Sequence, residues 1–223
     1  RTVTSRNPLF EDPFFRRFFG APGMPGPSEQ QQRSLGSGVL VREDGLVVTN
    51  VHVIKGAEEI KVVLSDGSEY PAKPVTLDER TDIALLKIDA PGIDLPVLQL
   101  ADSDALEVGD LVLAIGNPFG VGQTVTSGIV SALARTDVGA SDFGSFIQTD
   151  ASINPGNSGG PLFSATGDLI GINGRGSFEK RGRVNSGAGY AISINQIKHF
   201  MDHLRSGRIV DHATLGAAMT TRD

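Results

Sequence analysis

One serine in the chain lies in a stretch that is poor in packing side chains. The stretch NPGNSGGPLF, residues 154–163, surrounds Ser158 with glycines and prolines. A serine hydroxyl becomes a good nucleophile only when a base removes its proton, and an attacked carbonyl needs hydrogen-bond donors for its oxyanion. Glycine adopts positive φ without strain, so a sharp bend here could point the amides of Gly156 and Ser158 into one pocket. The stretch therefore predicts a serine nucleophile beside backbone donors.

A base and a group to orient it must then come from other segments. His52 follows an apolar strand in VVTNVHVIKGA, and Asp82 precedes another in LDERTDIALLKI. A neutral imidazole can accept the serine proton, and a carboxylate can stabilise the imidazolium that forms. His52 alone would be typical of a surface or capped histidine, and Ser158 alone of a Gly-rich hairpin turn. Together, in the order His, Asp, Ser, they predict a Ser-His-Asp arrangement.

An esterase of another fold is the first alternative. GNSGG also fits the G-x-S-x-G nucleophile elbow, which needs a buried strand before it and a helix after it. Here DASINP precedes the serine and PLFSATGDLIGI follows it, which predicts a hairpin instead. The sequence disfavours the elbow.

The elements that would position these residues are mostly short strands. GSGVLVREDGLVVTN and EIKVVLSDGSEYPAKPV each indicate a strand, a turn and a strand. About a dozen such strands between turn signals favour closed or stacked antiparallel sheets. One helix is expected near the end, because Ser193 and Gln196 match a capping box and Gly207 is a stop signal. Its apolar stripe comprises Ile194, Ile197, Phe200, Met201 and Leu204.

Two further patterns in the sequence resemble those of other protein classes. His199 and His203 have zinc-ligand spacing on this helix, but the catalytic Glu of that motif is missing, so surface histidines and no metal are expected. The uncharged residues 111–134 are long enough for a membrane helix. Gly, Asn, Pro, Gln, Thr and Ser interrupt them, and two strands joined by a loop fit better.

Composition and charge limit the partners and the chemistry that the chain can have. The chain has 223 residues, a net charge of −6 and no cysteine. The acidic balance argues against nucleic acid as a partner, and disulfides are excluded. The start, RTVTSRNPLF, has no apolar core segment, so no signal peptide is expected in this stretch. Residues 7–33 form a Phe/Pro/Gly-rich loop whose phenylalanines are expected to dock, either on their own barrel or on another subunit: Phe10, Phe14, Phe15, Phe18 and Phe19.

Six motifs together resemble the protease domain of the HtrA/Deg family over residues 34–205. They are TNVHVI, TDIALLKI, GNPFG, QTVTSGIVSAL, FIQTDASINPGNSGGPL and GDLIGIN. The resemblance implies an all-β, chymotrypsin-like fold of two six-stranded antiparallel β-barrels with a C-terminal α-helix. The first barrel would span residues 1–104, and the second barrel with its helix 105–212. Residues 213–223 would begin a linker toward a missing PDZ domain.

The same resemblance implies the roles of the site residues. Ser158 would be the nucleophile, His52 the general base and acid, and Asp82 the residue that holds the imidazole. The amides of Gly156, Asn157 and Ser158 would form the oxyanion hole. Ile153, Ser186 and Ala188 would line a pocket for small or medium apolar side chains, although Ser186 and Ala188 replace the bulkier Ile of relatives. Gly174 stands where a Thr is common, and no cofactor is expected.

The implied function is a serine endopeptidase of protein quality control that cleaves unfolded or misfolded proteins. The alternative is a chaperone that binds such chains without cutting them. Asn157 stands where digestive relatives carry an Asp, so no carboxylate at this position can pair with a newly freed amino terminus. Activation by proteolytic cleavage of the chain is therefore not expected. Rearrangement of residues 135–144, 153–156 and 174–187 would gate activity instead. A homotrimer, PDZ domains in the full-length chain and a periplasmic location are implied by analogy, with the chloroplast lumen a weaker option.

Overall fold

Two of the predicted site residues, His52 and Asp82, lie beside the ends of strands of the first sheet. The computed structural model describes residues 36–117, 122–135, 146–154, 156–178 and 185–205. The sheet is antiparallel with the strand order β1-β2-β5-β4-β3. Its strands are β1 (Val39–Arg42), β2 (Leu46–Asn50), β3 (Ile60–Val63), β4 (Glu69–Asp78) and β5 (Ile83–Ile88). A one-turn helix, α1 (Val51–Ile54), follows β2 directly.

The second sheet closes on itself. It is a barrel of six strands in the order β10-β11-β8-β7-β6-β9. Its strands are β6 (Leu111–Gly116), β7 (Thr124–Arg135), β8 (Phe146–Thr149), β9 (Pro161–Ser164), β10 (Leu169–Phe178) and β11 (Asn185–Ser193). A 3-10 turn, Ser103–Ala105, precedes β6, and helix α2 (Ile194–Arg205) continues from β11.

The central strands β2 and β5 bury both of their faces, since side chains alternate along a strand. Val47 of β2 and Leu86 of β5 pack within the first sheet. Val48 and Leu85 point the other way, into a cluster that also holds Ile172 and Ile192 of the barrel. The two sheets therefore share one apolar core, which fixes the loops of one sheet against those of the other.

Helix α2 closes this shared core. Ile194 and Ile197 are fully buried in it. The Gln196 N–H donates to Ser193 Oγ at 3.4 Å, as the predicted cap requires. Asn195 Nδ2 donates to Asp102 Oδ1 at 2.6 Å. This bond, followed by one from the Asp104 amide, lowers the pKa of the Asp102 carboxyl from its ordinary value of 3.8.

The predicted all-β fold with a C-terminal helix is confirmed. The second sheet is the expected six-stranded barrel, and the first has five strands among the described residues. Both hairpins and the two strands expected in residues 111–134 are present. Within the described part of the chain, no helix has the length and apolar character needed to cross a membrane. The boundaries at 104 and 212 stay predictions, and residues 1–35, with the Phe-rich loop, lie outside the description, as do 206–223.

Candidate active site

Helix α1 and the start of β5 bring His52 and Asp82 together. Asp82 Oδ2 lies 2.5 Å from His52 Nδ1, and Asp82 Oδ1 accepts the His52 backbone N–H at 2.9 Å. The two side chains are 18% exposed each. A carboxylate on Nδ1 selects the tautomer that carries its proton there, so Nε2 keeps the lone pair that a general base needs.

The backbone around Asp82 is unusual and well held. Asp82 has φ 60°, the left-handed region that non-glycine residues seldom adopt. Its carbonyl accepts the Val51 N–H at 3.1 Å and Asn50 Nδ2 at 3.0 Å. The preceding turn is closed by a buried bond from Thr81 Oγ1 to Asp78 Oδ2 at 2.7 Å. These bonds aim the carboxylate at His52.

The loop that carries Ser158 bends at glycines, as the sequence predicts. Gly156 has φ 103° and Gly159 has φ 83°. Added to Gly159, a Cβ would lie 2.2 Å from Ser37 O and 2.3 Å from Thr49 Oγ1. Glycine is therefore needed at 159 both for the backbone angle and for the close approach of the first sheet.

The Ser158 hydroxyl donates to the carbonyl oxygen of Gly174 at 2.8 Å. Among the described residues no hydrogen bond joins it to His52. The backbones are nonetheless close, because Ser37 N–H donates to Ser158 O at 2.9 Å and Thr49 Oγ1 donates to Ser37 O at 2.7 Å. Thr49 lies three residues before His52, so base and nucleophile loop are neighbours although the two side chains are not paired.

The three amides expected to form the oxyanion hole differ in their bonds. The Asn157 N–H donates to Asn154 O at 3.0 Å and is engaged in the turn. The assignment of Asn157 to the oxyanion hole stays a prediction, and in this conformation its N–H is occupied within the turn. The Ser158 N–H has no acceptor within the described segments, and it lies next to the hydroxyl.

The residues expected to line the specificity pocket are partly assembled. Ile153 is 2% exposed and packs in the barrel core. It also contacts β11, since a Cβ added to Gly189 would lie 2.5 Å from Ile153 Cγ1. Ala188, which precedes Gly189 in β11, is half-buried, and the side chain of Ser186 lies outside the description.

Three residues that were not predicted from the sequence hold the site segments in place through hydrogen bonds: Ser37, Asn50 and Asn173. Asn50 and Asn173 are completely buried. Asn173 Nδ2 donates to Ile115 O at 3.1 Å and to Pro161 O at 2.9 Å, so it fastens the nucleophile loop to β6. Ser37 contacts the loop from the first sheet. The signals present in the sequence were an Asn two positions before His52 and the Gly-Ser-Gly run at 36–38.

Other predicted features fall outside the description. Residues 136–144 and 179–184 of the expected switch loops are not described, nor is Pro155. The side chains of His199 and His203 are not described either. A groove of about 730 Å³ lies between residues 41–44 and 95–100, and none of the candidate site residues lines it.

Fold and site together define the class of this chain. A closed β-barrel beside a second β-sheet is the organisation of a trypsin-like peptidase, with His52 bonded to Asp82 in a segment that neighbours a serine loop bent at glycines. The model of the trypsin-like peptidase domain family matches residues 36–172, and the chain belongs to this family.

Its relatives are HtrA/DegP serine proteases, so the resemblance read from the motifs is confirmed. The chain is 46% identical over 216 residues to a probable periplasmic serine endoprotease DegP-like of Chlamydia trachomatis, with 96% of the chain and 43% of the relative covered. It is 47% identical to the periplasmic serine endoprotease DegP of Escherichia coli, covering 94% of the chain and 44% of the relative. A solved HtrA-type protease, AlgW with a decapeptide, superposes with a TM-score of 0.72 at 47% identity over 78% of this chain and 53% of that one. The chain thus spans less than half the length of these two curated relatives.

Proposed function

We propose that this chain is the peptidase domain of a serine endopeptidase that cleaves unfolded or misfolded proteins. The observation that carries the proposal is the two-point contact of Asp82 with His52, at 2.9 and 2.5 Å, in a chain of the trypsin-like peptidase family. The names of its relatives support endopeptidase activity.

The proposed first step is formation of an acyl-enzyme. Rotation of the Ser158 side chain moves its hydroxyl from Gly174 O to His52 Nε2, which takes the proton as Oγ bonds to the substrate carbonyl carbon. The carboxylate of Asp82 stabilises the imidazolium. His52 then gives this proton to the leaving nitrogen as the peptide bond breaks. Water, deprotonated by His52, releases the acyl group and restores Ser158.

The oxyanion of each tetrahedral intermediate needs fixed donors. We assign this role to the N–H groups of Ser158 and Gly156. The Asn157 amide is left out of the set, because it donates to Asn154 O. Should a turn rearrangement release it, the third predicted donor would return.

The proposed specificity is for small or medium apolar side chains before the cleaved bond. Ile153 supplies an apolar wall that packs closely on Gly189 of β11, and the small, half-buried Ala188 is the preceding residue of that strand. Ser186 completes the proposed lining on the resemblance alone. None of these positions carries a carboxylate that would bind Lys or Arg.

We also propose that the activity is gated. The Ser158 hydroxyl is bonded to Gly174 O. In this resting arrangement, among the described residues, His52 has no hydrogen-bonded serine hydroxyl to deprotonate. Gly174 begins one of the predicted switch loops, 174–187, so a shift of that loop would release the hydroxyl. Residues 135–144 and 153–156 are the other proposed switches.

Assembly and location are proposed by family analogy. A homotrimer built through the protease domain, with PDZ domains in the full-length protein, is inferred from the HtrA/Deg resemblance. The relatives are named periplasmic, which supports a periplasmic location. Cell fractionation that placed the protein in the cytoplasm would contradict it.

Casein digestion by the full-length protein tests the proposed function. We expect casein to be cleaved, more rapidly with a suitable activating peptide, because the gate must open before Ser158 reaches His52. Ser158→Ala should reduce the rate by a factor of at least about 10³ while leaving the circular dichroism unchanged.

The same digest tests specificity and the chaperone alternative. Mass spectrometry of the product ends should show apolar residues before the cleaved bonds, and basic residues there would contradict the proposed pocket. A protein that binds casein but leaves it intact, with every activating peptide tried, would instead favour the non-proteolytic chaperone.

A further inference from the structure

Ser37, just before β1, reaches across from the first sheet to the nucleophile loop. Its N–H donates to Ser158 O at 2.9 Å, and its hydroxyl donates to Gly156 O at 2.6 Å. The same hydroxyl accepts the Asn117 N–H at 3.0 Å, and Ser37 O accepts Thr49 Oγ1 at 2.7 Å. One small residue therefore joins the strand that leads to His52 with both sides of Ser158.

The peptide group that precedes Asn157 is held at both ends. Its oxygen, Gly156 O, accepts the Ser37 hydroxyl, and its N–H, on Asn157, donates to Asn154 O at 3.0 Å. Gly156 has φ 103°, and glycine has no Cβ to resist rotation of this peptide group. The Ser37 hydroxyl thus fixes a group that the glycine alone would leave free to turn.

The peptide group that follows Ser158 is held in the same way. Its oxygen, Ser158 O, accepts the Ser37 N–H, and its own N–H, on Gly159, donates to the carbonyl of buried Asn173 at 2.8 Å. Ser37 supplies one partner to each of the two flanking groups.

Between them lies the peptide group that carries the Ser158 N–H. Its oxygen, Asn157 O, accepts the Gly160 N–H at 2.9 Å. Its N–H has no acceptor among the residues that the structure describes, although both neighbouring groups are bonded. The direction of this free donor is set by the flanking groups, and so by Ser37.

We propose that Ser37 is a positioning residue for hydrolysis: through its hydroxyl on Gly156 O it orients the backbone donors that receive the oxyanion. The inference rests on the proposed function and names a residue that does not touch the substrate. Loss of the hydroxyl leaves Gly156 O and the Asn117 N–H without this partner, and the peptide group between Gly156 and Asn157 is then held only through the Asn157 N–H on Asn154 O.

The test is steady-state kinetics on a chromogenic peptide with the full-length protein. Ser37→Ala should lower kcat about tenfold or more and leave KM within about twofold, because misplaced oxyanion donors weaken transition-state binding rather than substrate binding. The affinity for a peptidyl boronic acid, which forms a tetrahedral adduct, should fall in parallel. Ser37→Thr keeps a hydroxyl and should recover most of the activity.

Ser68→Ala is the matched control. Ser68 Oγ donates to Asp66 Oδ1 at 2.6 Å in the exposed β3–β4 turn, so this variant also loses one short hydroxyl bond. Its kcat should equal that of the wild type. If Ser37→Ala fails to fold, Ser37→Cys, with similar volume and a weaker donor, takes its place with the same expected loss.

The outcomes separate the two claims. A wild-type protein without Ser158-dependent hydrolysis contradicts the proposed function, and the role of Ser37 with it. Active wild type with a kcat for Ser37→Ala within twofold of normal overturns only the role of Ser37. A loss of affinity seen only in KM, or the same loss in Ser37→Thr, overturns it as well.

Discussion

Asp82 combines a strained backbone with the chemical role proposed for it. A non-glycine residue in a sparsely populated φ/ψ region costs of the order of 1–3 kcal/mol, and such residues gather at functional sites. Here φ is 60°, and the Asp82 carbonyl is held by Asn50 and Val51 while its carboxylate contacts His52 twice. The strained conformation lets one residue bind the segment before His52 through its carbonyl and the imidazole through its carboxylate.

Gly159 and Gly167 offer a matched pair for testing the close approach of the two sheets. Their φ values are 83° and 86°, but only Gly159 faces other atoms, at 2.2 Å from Ser37 O. Gly167→Ala should lower the free energy of unfolding by about 1–2 kcal/mol, the strain of the angle alone. Gly159→Ala should cost at least about 3 kcal/mol, since the added methyl also overlaps backbone.

Urea unfolding measured in a Ser158→Ala background, which prevents self-digestion, gives both values. If the two alanine variants lose the same free energy of unfolding, the close approach of Ser37 O to Gly159 is contradicted.

The residue types in the site could be predicted from the sequence, while the directions of their hydrogen bonds could not. His52 and Asp82 could be paired because each adjoins an apolar strand and because their order matches a known arrangement. The bond from Ser158 Oγ to Gly174 O and the engaged Asn157 amide depend on backbone angles in a glycine-rich loop. Glycine permits many such angles, so its presence predicts a bend without fixing where each N–H points.

At the scale of elements, the hairpins and the helix were the most predictable features. The turns after β1 and β3 carry Glu43-Asp44-Gly45 and Ser65-Asp66-Gly67, and local turn chemistry is strong enough to specify them. The cap at Ser193 was visible for the same reason.

The closing of the strands into sheets was harder to predict. The strands β2 and β5 are buried on both faces, and each begins with an apolar run, LVV and IALL, which shows no alternation. Their partners are set by contacts distant in sequence. The six-strand closure of the barrel therefore came from the family resemblance rather than from the pattern itself.

At the scale of the whole molecule, the shared core explains how distant residues meet. Val48 and Leu85 of the first sheet pack in one cluster with Ile172 and Ile192 of the barrel. Ser37 and Gly156, which are 119 positions apart, are thereby held at hydrogen-bond distance. The nucleophile loop belongs to one sheet and the base to the other, so the site depends on this packing.

The proposed homotrimer is tested on the full-length protein. Multi-angle light scattering should give three times the chain mass, or a multiple of that value, if the chains associate through their protease domains as proposed. A mass equal to one chain at high protein concentration would contradict the trimer. Sequence could not settle this point, since association depends on surfaces that local patterns do not reveal.

The most direct test of the central claim is to map the residue that a fluorophosphonate modifies. Full-length protein is treated with the reagent and an activating peptide, digested, and analysed by mass spectrometry, with His52→Ala as the comparison. The account predicts one adduct, on Ser158, and a labelling rate that collapses in His52→Ala. An adduct on a different serine, or undiminished labelling of Ser158 in His52→Ala, would contradict the claim that His52 activates Ser158 for attack.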